Sequence, residues 1–168
     1  MHIARPDTPR LPPIDPAADA VGPDLAAILQ KTLVRDGEPL NIFRTLAHQP
    51  VLLKRFNALG GAFMAHGLLP AREREIVVLR VGWNCRSVYE FGQHTLMGRD
   101  AGLTDAEIAS LATPRALGPW STDDQALIAL ADELCGDDCV SEATFAALRG
   151  RWSDAELVEL VMLAGCYR

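Results

Sequence analysis

Apolar residues return every three or four positions from about residue 24 to the end of the chain, and no stretch shows the alternation of a half-buried strand. Leu25, Ile28, Leu29 and Leu33 share one side of a helix predicted over Asp24 to Arg35. A short helix over Leu40 to Ala47 follows, then one from Val51 to His66 that Gly67 and Pro70 bring to a stop. The next segment, Ala71 to Trp83, is different. Between Ile76 and Trp83 only Arg80 carries charge, and the apolar residues go almost all the way round, as in a helix buried on every side. A helix over Arg86 to Ala101 comes next, with Gly102 in the position of a C-terminal glycine cap. Thr104 with Glu107 and Ser153 with Glu156 read as capping boxes. Ser121 and Ser141 open helices reaching Leu134 and Leu148. The predicted fold class is all-α. The last helix, with Leu157, Leu160, Val161, Leu163 and Ala164, is still in full apolar pattern at Arg168, so a cover is expected from a partner subunit or a further C-terminal segment.

Ahead of these helices, residues 1–21 hold Pro6, Pro9, Pro12, Pro13 and Pro16 and read as an extended arm, either mobile or wrapped on a neighbour. Residues 22–168 are expected to form one helical domain. The formal net charge of −6, with dispersed arginines and only Lys31 and Lys54 as lysines, argues against a nucleic-acid or anionic-membrane footprint. No apolar run is long enough for a membrane span and the first residues lack the core of a secretion signal, so a cytoplasmic location is expected. Four irregularly placed cysteines make no disulfide framework. Cys135 and Cys139 read as part of a helix-to-helix loop, and Cys166 as core.

The candidate chemistry centres on Glu90 and His94. Four residues apart on a helix, they share a face, and a carboxylate beside an imidazole sets its tautomer and raises its basicity. The pair is read as a proton donor, His94, oriented by Glu90. The plainer alternative is a surface pair contributing a few tenths of a kcal/mol. Tyr89 and Ser87 are candidate hydroxyl donors around a substrate, with a packing residue and a helix-start residue as the alternatives. Arg80 is either the anchor for a substrate carboxylate or a structural partner for an internal one. Trp83 lines the pocket or belongs to the core. No metal is expected, because His2, His48 and His66 are scattered and offer no third and fourth ligand. No cofactor is expected either, since no glycine-rich phosphate loop follows a strand.

Read in order, Leu69-Pro70-Ala71-Arg72-Glu73-Arg74-Glu75-Ile76, Val81-Gly82-Trp83, Tyr89-Glu90-Phe91-Gly92-Gln93-His94 and Ala101-Gly102-Leu103-Thr104 resemble the carboxymuconolactone decarboxylase family, whose superfamily includes the AhpD-like alkylhydroperoxidases. The likeness covers roughly residues 40–168. It implies an AhpD-like helical bundle assembled as a trimer or hexamer, and a cofactor-free lyase acting on a small carboxylated, lactone-like or β-keto-acid-like substrate. The peroxidase branch resembles a glutamate, a Cys-x-x-Cys pair and a histidine. On this chain the glutamate falls on Glu75, the histidine on His94, and the two thiols on Ser87 and Glu90, so both thiols are missing. A sulfenic acid needs a thiolate to form and a second thiol to resolve it, which makes thiol peroxidase the weaker reading. The decarboxylase branch resembles the Glu90-x-x-x-His94 arrangement, and the same likeness implies that Glu75 tunes His94. A non-catalytic oligomer that binds a small ligand in the same cavity is the alternative.

Overall fold

The computed structural model describes residues 7–18 and 21–168. Among them the chain forms nine helices and one small hairpin, in two compact units of residues 1–62 and 63–168. The first unit has an apolar cluster of its own, Leu29, Ala47 and Leu53.

In the first unit, α1 (Pro23–Leu29) begins on a proline at its first helical position, where the missing amide costs nothing. It ends well short of the expected Arg35. The Thr32 hydroxyl bonds the Leu29 carbonyl, and the chain then turns back in a hairpin of β1 (Val34–Arg35) and β2 (Glu38–Pro39). Asp36 and Gly37, at φ 52° and 84°, supply the two left-handed residues that a tight hairpin turn requires. The all-α reading therefore needs this small correction. α2 (Asn41–Leu46) and the start of α3 (Pro50–Met64) complete the cluster. The described part of the proline-rich arm is held by its own chain. Ile14 exchanges hydrogen bonds with Arg44, its amide to the Arg44 carbonyl at 3.1 Å and its carbonyl from Arg44 Nε at 2.8 Å. His48 Nε2 meets the Pro12 carbonyl at 3.0 Å. Residues 1–6, with His2 and Pro6, lie outside the described residues, as do 19 and 20.

The second unit is built around α4 (Ala71–Asn84), whose residues from Glu75 to Gly82 are all buried. It packs against α5 (Val88–Asp100), α6 (Asp105–Leu111), α7 (Thr122–Asp137) and α9 (Asp154–Tyr167), while α8 (Glu142–Arg149) packs on α7 and α9. This central position explains the apolar run seen in the sequence: a helix surrounded on all sides has no polar face to keep. Three capping boxes, at Thr104, Ser121 and Ser153, start α6, α7 and α9. Arg72 ties two of them together, with Nη2 2.6 Å from Glu107 and Nη1 2.8 Å from Asp124, the carboxylates that close those boxes.

α4 and α5 form a helical hairpin with a very short turn. Ser87 N–H bonds the Gly82 carbonyl at 2.8 Å and Arg86 N–H the Trp83 carbonyl at 2.9 Å, with Arg86 left-handed at φ 56°. The same pair of bonds ends α5, from Leu103 N–H to Gly98 and Gly102 N–H to Arg99, and there a glycine takes the left-handed position. Gly98 lets α5 close on α4. A Cβ there would stand 3.2 Å from methyl carbons of both Leu79 and Leu103. Gly98→Val should destabilise the fold by about 1–3 kcal/mol through overpacking, read as a lower midpoint in urea unfolding; an unchanged midpoint would mean the two leucines yield freely.

Candidate active site

The helical hairpin brings one residue of α4 against one of α5, nineteen positions apart in sequence. Glu75 Oε2 lies 2.7 Å from His94 Nδ1, and both side chains are buried, Glu75 fully and His94 to within 4%. The other carboxylate oxygen, Oε1, receives Arg74 Nε at 3.1 Å. Flanked in this way by a guanidinium, the Glu75 carboxylate acts as the acceptor and His94 Nδ1–H as the donor. The second ring nitrogen, Nε2, then carries the lone pair. Glu90 Oε2 stands 3.9 Å from it, too far for a hydrogen bond but close enough for charge coupling. The carboxylate that holds the imidazole is thus Glu75, and Glu90 stands beside Nε2. This reverses the roles expected from the i, i+4 spacing, which sees only one helix. Glu75 lies in the second turn of α4, beyond Glu73, so the helix dipole alone does not account for it.

Tyr167, near the end of α9, completes the surroundings. Its ring meets the His94 ring edge to face, with centroids 4.8 Å apart and planes at 88°, and its hydroxyl reaches Met64 Sδ at 3.8 Å. Burial together with Glu75 and Glu90 pushes the phenol well above its ordinary value, so it remains a neutral wall of the site. No spacing rule links residue 167 to 94; only the terminal position of α9 against α4 brings them together. Cys166 is half-buried, and burial and the Glu90 charge raise its thiol.

The remaining predicted residues divide. Ser87 caps α5, its Oγ accepting the Glu90 amide at 3.4 Å. Tyr89 and Trp83 are partly exposed, at 37% and 39%. Of the two readings of Arg80, the geometry matches the internal partner. Only 2% exposed, Arg80 is engaged by Asp132 at 2.5 and 3.0 Å and by the carbonyls of Leu111, Thr113 and Pro114. A buried guanidinium needs all these partners, and none is left for a ligand. A concavity of about 320 Å³ lined by Arg115, Leu117, Trp120, Ile128 and Asp132 lies by Arg80's partner and includes none of the His94 group. Among the described residues no group of three or more His, Cys, Asp and Glu side chains is arranged to hold a metal, and no helix is long and apolar enough to cross a membrane.

Burial is the main cause that raises the Glu90 carboxyl above its ordinary 4.5, opposed by the charge of His94. The folded state therefore holds this proton to higher pH than the unfolded chain does. The group costs stability as pH rises from the unfolded value through the folded one, and the cost persists above it. Glu90→Gln should remove this loss, so that between pH 4 and 8 urea unfolding of the variant falls off less with rising pH than that of the parent. Parallel curves would mean that Glu90 ionises as freely as a surface carboxylate.

The bundle wrapped around a buried helix has the AhpD-like fold. The family profile of the carboxymuconolactone decarboxylase family matches residues 50–133, half of the chain, and the protein belongs to that family. Among solved structures it is similar to the alkylhydroperoxidase AhpD core of an uncharacterized peroxidase-related protein from Ralstonia eutropha JMP134, with TM-score 0.80 and 24% identity over 98% of this chain and 86% of that one. An uncharacterized peroxidase-related protein from Silicibacter sp. TM1040 gives TM-score 0.80 and 15% identity over 98% and 88%. A protein of unknown function from Agrobacterium tumefaciens gives 0.66 and 21% over 73% and 84%. At these identities the likeness establishes the fold. None of the curated proteins matches the chain.

Proposed function

We propose that the protein is a cofactor-free acid–base enzyme of the decarboxylase type, acting on a small carboxylated substrate such as a lactone or β-keto acid. The observation that carries this reading is the buried Glu75–His94 hydrogen bond, which leaves Nε2 as the working nitrogen with Glu90 beside it. In such a reaction the bond to the departing CO2 breaks and its electron pair enters the adjacent conjugated system. A proton is then delivered to carbon. In this scheme Glu90, whose affinity for a proton is raised, first passes its proton to the Nε2 lone pair; the imidazolium so formed, steadied by Glu75, delivers that proton to carbon, and Glu90 takes up another from solvent. In this proposal Ser87, Tyr89 and Trp83 are the candidates to line an approach, while Arg80 keeps its internal partners. The test is CO2 release from a panel of small carboxylated lactones and β-keto acids. The parent should turn over at least one of them and His94→Ala none, with its circular dichroism unchanged; turnover that survives in His94→Ala would defeat the assignment.

A second reading, thiol-dependent peroxide reduction, is favoured by the descriptions of two structural neighbours. Against it stand Ser87 and Glu90 at the positions of the two thiols. Peroxide consumption with a dithiol donor, lost when all four cysteines become serine, would favour it over the first.

A homo-oligomer is part of the same proposal. Val158, Val161 and Met162 leave an exposed apolar face on α9, with exposures of 65%, 46% and 50%. Sedimentation should show an assembly larger than one chain, and Val161→Asp should reduce it.

A further inference from the structure

Two thiols outside the His94 group lie on neighbouring ends of α4 and α7, two helices packed together in the second unit. Cys85 is the C-cap of α4, and Cys135 lies in the last turn of α7. The register that brings them together is fixed by polar bonds alongside. Arg80 and Asn84, one turn apart on α4, both grip Asp132, and the Asn84 amide also reaches the Ala131 carbonyl at 3.5 Å. Ala131 and Cys135 are one turn apart on the same face of α7, so the residue after Asn84 is delivered to Cys135. The two thiols lie close enough for Cys85 to raise the thiol of Cys135, and both are half-buried against the main core. Neither belongs to positions 87 and 90, where the family's thiols would fall.

We propose that Cys85 and Cys135 form a reversible dithiol–disulfide pair, a redox-responsive crosslink between the end of α4 and the end of α7. The oxidant is a small-molecule disulfide. One cysteine thiolate attacks a sulfur of that disulfide, forming a mixed disulfide and releasing one small thiol. The second cysteine then attacks the protein-bound sulfur, closing the Cys85–Cys135 bond and releasing the second small thiol. Two electrons pass from the pair to the oxidant, and the two thiol protons leave with the products.

Burial and the neighbouring thiol push Cys135 up to about 11, so thiolate is scarce and the pair reacts slowly. That chemistry suits equilibration with a thiol–disulfide pool rather than rapid peroxide turnover. The placement also has a mechanical consequence. Cys85 lies two residues before Ser87, the N-cap of α5, so closing the crosslink fixes the turn from which Glu90 and His94 are carried.

The test uses the full chain equilibrated with mixtures of reduced and oxidised glutathione, after which free thiols are alkylated. Oxidised protein should carry two fewer alkyl groups than reduced protein, and trypsin should yield Val81–Arg86 joined to Ala116–Arg149. Because the longer peptide also holds Cys139, an exposed thiol four residues from Cys135, the measurement is repeated in Cys139→Ser. The joined peptide should persist in Cys139→Ser and vanish in Cys85→Ser. Amides 86–90 should exchange roughly tenfold more slowly in the oxidised protein. A bond confined to Ala116–Arg149, or no Val81–Arg86 adduct at any glutathione ratio in the parent protein, would overturn the proposal. Unchanged exchange at 86–90 would overturn its hold on α5.

Discussion

Replacing Arg80 with methionine should cost the fold about 2–4 kcal/mol, the largest single-residue loss expected in this chain. The side chain makes five hydrogen bonds. Two go to Asp132, and three to the carbonyls of Leu111, Thr113 and Pro114, where the chain passes from α6 towards α7. Methionine fills much of the space and removes every donor, so carbonyls that the fold has withdrawn from water lose their partners. Asp132 is 38% exposed and recovers some hydration, which holds the figure below that for a fully buried ion pair. For a chain of this length the loss corresponds to a fall in Tm of roughly 5–15 °C. Thermal unfolding reads it directly, and a fall under about 2 °C would show the carbonyls to be satisfied by water. Arg80→Lys should recover only part of the loss, since an ammonium cannot fork across a carboxylate and reach three carbonyls as well.

Glu75→Gln should lower kcat on any substrate found for the protein by roughly 10²–10⁴-fold, with little change in KM. Glutamine is close to glutamate in size, so packing at this fully buried position survives. What it loses is the charged acceptor that keeps the proton on His94 Nδ1. With an amide there the imidazole can turn its tautomer over, and Nε2 no longer reliably faces Glu90 as the working atom. The state of the ring is visible without any substrate. Nitrogen-15 NMR of His94 should show the Nδ1–H tautomer in the parent protein and a mixture or the reverse in Glu75→Gln. Glu90→Gln should leave the tautomer unchanged, because its carboxylate is 3.9 Å from the ring and bonded to neither nitrogen. An Nε2–H tautomer in the parent would sink the assignment of roles between the two glutamates.

Much of the helical order was legible because its signals are local. Capping boxes at Thr104 and Ser153, the cap at Ser121 and the left-handed glycine at 102 each write a boundary within four or five residues. The hairpin at 34–39 was also written locally, in Asp36-Gly37, but the apolar period of the preceding helix obscured it. The site was harder to read. Glu90 and His94 advertise themselves through spacing on one helix, yet the stronger partner, Glu75, comes from the neighbouring helix through a turn whose left-handed residue is an arginine. For Arg80 the sequence left open a substrate carboxylate or an internal one, because Asp132 and the carbonyls that occupy it lie thirty to fifty residues on. Tyr167 and the Cys85–Cys135 meeting depend wholly on how α4, α7 and α9 pack, and periodicity carries no record of that.

Arg72 makes a local device into a long-range one. The carboxylates of Glu107 and Asp124 each close a cap within their own helix, and both answer to the same guanidinium. Both are held below the usual carboxylate range by the hydrogen bonds of their caps and by Arg72, which together outweigh burial. What they contribute is present at neutral pH and drains away as acid reaches their lowered values. Two helix beginnings, seventeen residues apart in the chain, should therefore loosen together on acidification, as one seam rather than two separate ends.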